Sequence, residues 1–394
     1  MPRFEPFTAL RYASSLSLDA VAAPPYDVLS DADVERLRAL HPANIVHVDV
    51  PRETDGPRRY DDAARRMAAW IADGTLVADP TPSFTLYRMS FTDAQGRPRN
   101  TVGVLGALEV VDEGAGGVLP HERTTPKAKT DRLDLTRATQ ANLSPVWGLS
   151  LTAGLTSLLV APARPVASCH DEHGVLHAVE RVDDPERIAA ISESIGANPV
   201  LIADGHHRYA ISRTYRDEIR ASGLTDSPAE LTLTYVAELV DDQLSIDAIH
   251  RLYSGMPADR LLEVLARHFA TEDAGVIGAG TTAEMAQRGA LCFVAPDGRG
   301  TWLTPRDGSF AGVRNLDGAL LEHALAGEDV EVGYQHGIEH VAAALRTGAC
   351  SAAVLIRPTD ITEIRRTADE RLLMPPKSTF FTPKLRTGLV IRPL

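Results

Sequence analysis

Apolar positions recur along the chain with two different periods, and their interleaving predicts a mixed α/β protein. In SDADVERLRAL, Ser30 to Leu40, Val34, Leu37 and Leu40 follow one another at three-residue spacing behind a serine, with Asp31 and Asp33 in the first turn. That is the pattern of a capped helix. NIVHVDV, Asn44 to Val50, alternates like a strand, and YDDAARRMAAWIADGTL reads as a helix with Ala64, Met67, Ala68 and Ile71 on one face, stopped by Gly74. SFTLYRMSF and TVGVLGALEVV are two β-rich runs on either side of DAQGRPRN, which predicts a hairpin.

The Gly-rich punctuation DEGAGG, Asp112 to Gly117, precedes a polar stretch without hydrophobic periodicity that runs through PHERTTPKAKTDR. Beyond it the pattern predicts strands near 146–160 and 175–182, a helix from about Pro185 to Ser194, and a buried run, VLIAD, leading into GHHRYAIS. The last third predicts helices at ADRLLEVLARHF and GALLEHALAG and strands at ALCFVA, GTWLTP and AAVLIRP. Three regions are therefore expected: residues 1–115, an α/β region; 116–245, a core; and 246–394, a C-terminal α/β region.

With 394 residues, 44% of them hydrophobic, the chain has ample material for more than one core. Its formal net charge of -13, with no Lys/Arg-rich run, lacks the electrostatic footprint of a nucleic-acid binder. Cys169, Cys292 and Cys350 are odd in number and widely spaced, so neither a disulfide framework nor a CxxC zinc unit is expected. The N-terminus lacks a secretory apolar region, and polar residues interrupt the uncharged stretch Ala138 to Ala163 too often for a membrane span. A cytoplasmic chain with neither a nucleic-acid nor a membrane partner is the expectation; the oligomeric state is not legible.

Three stretches could carry chemistry. The first is Asp204, Gly205, His206, His207 and Arg208, between the VLIA run and a segment in which Ile211, Tyr215 and Ile219 recur every four residues. A strand-to-helix turn with a glycine presents helix N–H groups and the positive end of the helix to an anion, and an arginine can add a bidentate grip on phosphate. The same residues also fit a capping aspartate with surface histidines, or a metal site, although no HExxH accompanies them. The second stretch surrounds Glu122 with Arg123, Lys127, Lys129 and Arg132; a long polar loop of this kind is either a solvated surface or a binding loop whose carboxylate acts as general base. The third, MPPKSTFFTPK, follows two prolines, which predicts an extended segment displaying Lys377, Ser378 and Thr379.

Two decoys are set aside. GVIGAGTTAE matches a GxGxxA pattern, but Val276 and Ile277 make too short a strand before it. His170, His173 and His177 have helical metal-ligand spacing, yet Gly174 and the DEHG turn predict a hairpin.

Taken together, APPYDVLS, LPHERTTPKAKTDRL, NLSPVWGL, LIADGHHRYA, HRLY and MPPKSTFFTPKLRTGLV resemble domain-of-unknown-function family 1015, whose members are described as ParB/sulfiredoxin-like. A partial resemblance, to the archaeal ADP-dependent free-serine kinases, rests on three motifs in order. It implies a ParB/sulfiredoxin-like nucleotide-binding core with Glu122 as catalytic carboxylate, and Asp204 to Arg208 around the nucleotide phosphates. Asp204, His206, His207 and Lys377 would take part in catalysis, and Ser378 and Thr379 would help to hold phosphate. Asp204 would also be the nearest ligand for Mg²⁺. His121, Arg123, Lys127, Lys129 and Arg132 would hold the substrate, a role that rests on charge and position.

The activity so implied is phosphoryl transfer from ATP or ADP to a hydroxyl, with free L-serine as acceptor and O-phosphoserine as product. This chain departs from that kinase in about a hundred extra N-terminal residues and a longer interval between its PHE and DGHHR motifs. The alternatives are a ParB-like nucleotide switch acting through a partner protein, and a structural or regulatory protein whose corner binds an anion incidentally.

Overall fold

A computed structural model describes residues 1–394 except Gln95, Thr124 to Lys129, Ala279 and the side chain of Thr130. The chain is mixed α/β and divides into two compact units, residues 1–245 with 383–394, and residues 246–382.

The first unit is organised by a nine-stranded mixed sheet among the described residues. Its strands run in the order Val118–Pro120, Val200–Asp204, Val146–Ser150, Leu231–Glu238, Pro98–Glu109, Phe84–Thr92, Leu176–Val182 and Arg164–His170, with Phe4–Glu5 beside Pro98–Glu109. Residues 1–115 and 116–245 thus contribute to the same sheet. Side chains alternate across it. Leu86, Val146 and Val236 join Ile191, Ile195 and Tyr209 in one apolar cluster. Their sequence neighbours Tyr87, Trp147 and Tyr235 meet one another through ring contacts. Gly103 is fixed by that second face, since a Cβ there would lie 2.3 Å from the Tyr235 ring.

The expected hairpin is present, with Thr92 opposite Pro98, and so is the one around DEHG, with His170 opposite Leu176. Ser30 caps the Asp31–Leu40 helix by accepting from the Asp33 amide, and Asp33 answers in a capping box. In the Arg59–Ala72 helix the buried residues are Ala63, Met67 and Trp70, and Ile71 is exposed. The Trp70 indole, lying 6.2 Å from the Tyr12 ring, turns the helix by one position relative to the expected face.

Asn44 to Val50 is not a strand. Val46–Asp49 forms a helical turn started by the Asn44 side chain, whose Oδ1 accepts from the Val46 amide at 3.1 Å. Ile45, Val46, Val48 and Asp49 are all buried, so the alternation reflects no solvent face. Part of the expected polar loop is likewise helical: Thr130–Thr139 buries Leu133 and Leu135, too few apolar residues to print a period. The uncharged stretch before residue 163 folds as the Val146–Ser150 strand and the Leu155–Leu159 helix, and no helix among the described residues is long and apolar enough to cross a membrane. The three cysteines are free and buried.

The second unit holds a six-stranded antiparallel sheet in the order Phe269–Val276, Arg299–Pro305, Leu291–Val294, Ala352–Leu355, Ile249–Ser254 and Glu331–His336. Leu291 and Phe293 face a cluster containing Leu261, Val264 and Leu265, while Cys292 and Val294 face one containing Met285, Val341 and Leu345. Helices therefore cover both faces.

Candidate functional site

The opening of the site is a sharp strand-to-helix turn. Val200–Asp204 ends at Gly205, whose φ of 84° lies in the left-handed region, and His206–Ala221 follows as a helix of 16 residues. A Cβ on Gly205 would stand 3.0 Å from Arg208 Nε, so close approach as well as backbone conformation requires glycine. First-turn amides of a helix have no carbonyl one turn behind them, and they point along the axis toward whatever lies at this end.

The Glu122 segment meets this corner directly. Val118–Pro120 pairs in parallel with Val200–Asp204, Pro120 opposite Ile202, so the residues that follow each strand emerge side by side. His121 makes the connection. Its Nδ1 lies 2.6 Å from the Ile202 carbonyl oxygen, which can only accept, so that nitrogen carries the proton. Its Nε2 lies 3.7 Å from Glu122 Oε2, and its ring tilts against His206 with centroids 4.9 Å apart. Burial holds the His121 pKa below the ordinary histidine range, against the opposing pull of Glu122, so the ring is neutral at pH 7. With 1% exposure and its N–H spent on the Ile202 carbonyl, His121 anchors its own segment and packs on His206 rather than contacting a substrate.

Asp204 sits among cations. Its Oδ1 accepts from the Gly205 amide at 2.8 Å, and its Oδ2 lies 3.1 Å from Lys384 Nζ and 3.5 Å from Arg208 Nη2. Burial pushes the carboxyl upward, but Lys384 and Arg208 outweigh it and hold the pKa well below the usual carboxylate range. Lys384 was not singled out in the sequence. It closes the MPPKSTFFTPK segment, and nothing local distinguishes it from Lys377.

The N-terminal APPYDVLS segment also reaches the corner. Asp27 Oδ2 lies 4.0 Å from Arg208 Nη2, and Arg208 Nη1 donates to the Pro145 carbonyl. Arg132 places its guanidinium 4.0 Å from the Tyr26 ring centroid and pairs with the buried Asp49 at 2.6 Å. Tyr26, Arg132 and Arg208 line a small cleft of about 40 Å³ together with Asn142, Leu143 and Ile211.

His121, Glu122, Asp204, Gly205, His206 and Arg208 are thus brought together, and Arg132 joins them across the cleft. His207 is half-buried on the first helical turn, and Arg123 is exposed beyond Glu122. Lys127 and Lys129 lie outside the described residues. Lys377, Ser378 and Thr379 belong to the second unit, where their segment is not extended: Lys377 has a φ of 56°. The buried Arg251 clasps this turn, donating to the Lys377 and Pro376 carbonyls at 3.0 and 3.2 Å. Ser378 donates to the Pro375 carbonyl at 2.8 Å, and both Ser378 and Thr379 are buried. Two consecutive prolines start this turn instead of an extended run because Arg251 gathers the carbonyls that follow them.

Asp204 does not fit the role of a direct Mg²⁺ ligand. One of its oxygens is held by a backbone amide and the other faces two cations. Among the described residues no group of three or more His, Cys, Asp or Glu side chains could hold a metal.

The fold and the corner define a mixed α/β protein with a strand-to-helix turn at Gly205 beside the Glu122 segment. The sequence profile of the family described as "Protein of unknown function (DUF1015)" matches residues 4–319, and the chain belongs to that family. No curated protein matches the chain by sequence. Among solved structures, a conserved hypothetical protein from Pyrococcus furiosus is similar at 13% identity and a TM-score of 0.37, covering 68% of this chain and 87% of that one. A free serine kinase in complex with AMP shows 13% identity and a TM-score of 0.37 over 69% of this chain and 89% of its own. SbnI from Staphylococcus aureus, truncated at its C-terminus, shows 12% identity and a TM-score of 0.39 over 73% and 87%. Likenesses this distant assign no ligand to this chain.

Proposed function

We propose that the protein is a small-molecule kinase transferring a phosphoryl group from ATP or ADP to a hydroxyl, with free L-serine as acceptor and O-phosphoserine as product. The observation that carries this reading is the parallel pairing of Pro120 with Ile202, which brings the Glu122 segment beside the Gly205 corner, tied there by the His121–Ile202 hydrogen bond. A general base and a phosphate-receptive helix terminus then share one end of the sheet. The order of the PHE and DGHHR motifs, similar to that of free-serine kinases, supports it.

In the reaction, Glu122 takes the proton of the acceptor hydroxyl. The acceptor oxygen forms a bond to the terminal phosphorus as the bond to the nucleotide oxygen breaks, leaving a nucleotide shorter by one phosphoryl group. Gly205 and the first-turn amides of His206 and His207 receive the phosphate oxygens. Arg208 and Lys384 offset the charge that spreads over those oxygens in the transition state. His121 acts as a positioning residue through its bond to the Ile202 carbonyl and its ring contact with His206. Mg²⁺ enters as part of the nucleotide substrate, coordinated by phosphate oxygens and water.

Phosphorus NMR of the protein with Mg²⁺, ATP or ADP, and L-serine should reveal O-phosphoserine. Glu122→Gln should lower turnover by about 10²–10⁴-fold while nucleotide binding, followed by calorimetry, stays near that of the parent. Equal loss of both would remove Glu122 from the role of base. Nucleotide hydrolysis indifferent to every added hydroxyl compound would replace the kinase with a ParB-like switch.

A further inference from the structure

The cleft beside Arg208 is built mostly from side chains outside the three motifs, joined by Arg132 and Arg208, and its charges restrict what it can hold. Arg132 is committed: Asp49 takes its guanidinium, and the Tyr26 ring takes its face. Arg208 is not. Its side chain is 11% exposed, yet its carboxylate neighbours stand at 3.5 and 4.0 Å, beyond the ~2.7–2.9 Å of a well-made charge-assisted bond. Its Nε is buried without a hydrogen-bond partner among the described residues. A buried guanidinium with donors left over is under-coordinated, and an incoming carboxylate would complete it.

Two further groups stand near Arg208, Asn142 in the lining of the cleft and Asp27 just outside it. Asn142 accepts from the Leu233 amide at 3.0 Å and from Arg392 at 3.3 Å, both through Oδ1, so what it can offer the cleft is its Nδ2 donors. The Asp27 side chain, 36% exposed and 4.0 Å from Arg208, can receive a cation. Charge balance then chooses between a phosphate and a zwitterion. Arg132, Arg208 and Lys384 are matched by Asp27, Asp49 and Asp204 through the ion pairs described, which leaves the network neutral. A free phosphate dianion in the cleft, without Mg²⁺ and away from the first-turn amides, would bring uncompensated negative charge beside Asp27. A ligand carrying both signs would bring none.

We infer that the cleft is an amino-acid subsite in which Arg208 and Asn142 hold the carboxylate and Asp27 holds the ammonium, with Leu143 and Ile211 beside a small side chain. The APPYDVLS segment thereby becomes the element that selects a free amino acid over sugars, polyols and other hydroxyl compounds. The inference rests on the kinase reading for the fate of the hydroxyl, but not for binding. Arg208 stands at both the corner and the cleft, so donor and acceptor would share one cation.

Titration calorimetry on the full chain, without nucleotide, tests it with L-serine, ethanolamine, N-acetyl-L-serine and inorganic phosphate. L-Serine should bind at least about tenfold more tightly than each of the other three, as expected when one charge-assisted contact is removed. Asp27→Asn should weaken L-serine by at least about tenfold and leave N-acetyl-L-serine unchanged, with Asp27→Glu recovering part of the loss and circular dichroism unaltered throughout. Phosphate binding as tight as that of serine, no serine binding, or serine binding indifferent to Asp27→Asn would each overturn the subsite. Serine binding that depends on Asp27, without phosphoryl transfer from any nucleotide, would remove the kinase and leave the subsite. Transfer to an acceptor lacking an ammonium, unaffected by Asp27→Asn, would do the reverse.

Discussion

Replacing Lys384 with methionine removes the nearest cation from Asp204 while keeping the length of the side chain. The two side chains are 19% and 26% exposed and 3.1 Å apart, so the pair lies between a fully buried ion pair, whose breakage costs ~3–5 kcal/mol, and an exposed one, worth ~0–1 kcal/mol. Arg208 stays behind at 3.5 Å as a second cation. A loss of about 2 kcal/mol follows, or roughly 4–8 °C in the melting temperature of a unit of this size. The pH dependence is fixed in sign. Asp204 has a folded pKa held below its unfolded value, so its contribution is complete above the unfolded carboxylate pKa of about 4 and is lost as pH falls toward the folded value. Lys384→Met raises the folded value, so parent and variant should differ most at pH 7 and converge below pH ~4. Thermal unfolding followed by circular dichroism at pH 7 and pH 3 measures both melting temperatures. A variant that melts with the parent at pH 7, or whose deficit grows toward acid, would show that Lys384 is not what keeps Asp204 ionised.

Other perturbations give equally direct readings. Gly205→Ala forces a Cβ into a backbone at φ 84° and to within 3.0 Å of Arg208, so a loss of about 1–2 kcal/mol in urea unfolding is expected, with weaker nucleotide binding. In the second unit, burial presses His250 down to about 4. A neutral buried histidine contributes stability that is whole above its unfolded pKa of about 6.5 and lost as pH falls through 4, so His250→Asn should flatten the pH dependence of stability across that window. Denaturant midpoints at pH 7 and pH 4.5 would reveal an unchanged slope if the assignment is mistaken.

The readable parts of the chain were those in which local chemistry and final environment agree. Ser30 caps because Asp33 answers it three residues away, and the hairpin closes over a turn that its own residues dictate. Strand, glycine and amphipathic helix around Gly205 are likewise local. What escaped the sequence depends on distant partners. Asn44 to Val50 alternates but is buried at every position except the half-buried His47 and Val50, because Asn44 starts a helical turn and Arg132, over eighty residues later, meets Asp49. The turn at Lys377 follows from Arg251, far upstream in sequence. Tyr26, Asp27 and Lys384 carried no signal as site residues, since each acquires its meaning only from Arg208 or Asp204. Histidines and glycines at a corner announce themselves; a lone lysine at the end of a tail does not.

The discontinuity of the first unit has a consequence for the order in which the protein can be made. Asp204 and Arg208 are synthesised long before Lys384, and the whole of residues 246–382 must be translated in between. Ile391 then bridges to Leu10, and Arg392 pairs with Asn142, so the last dozen residues join strands and side chains laid down at the start of the chain. A nascent chain therefore carries the corner with its carboxylate short of one cation until translation passes residue 384. Completion of the corner thus waits until every residue of the second unit has been translated.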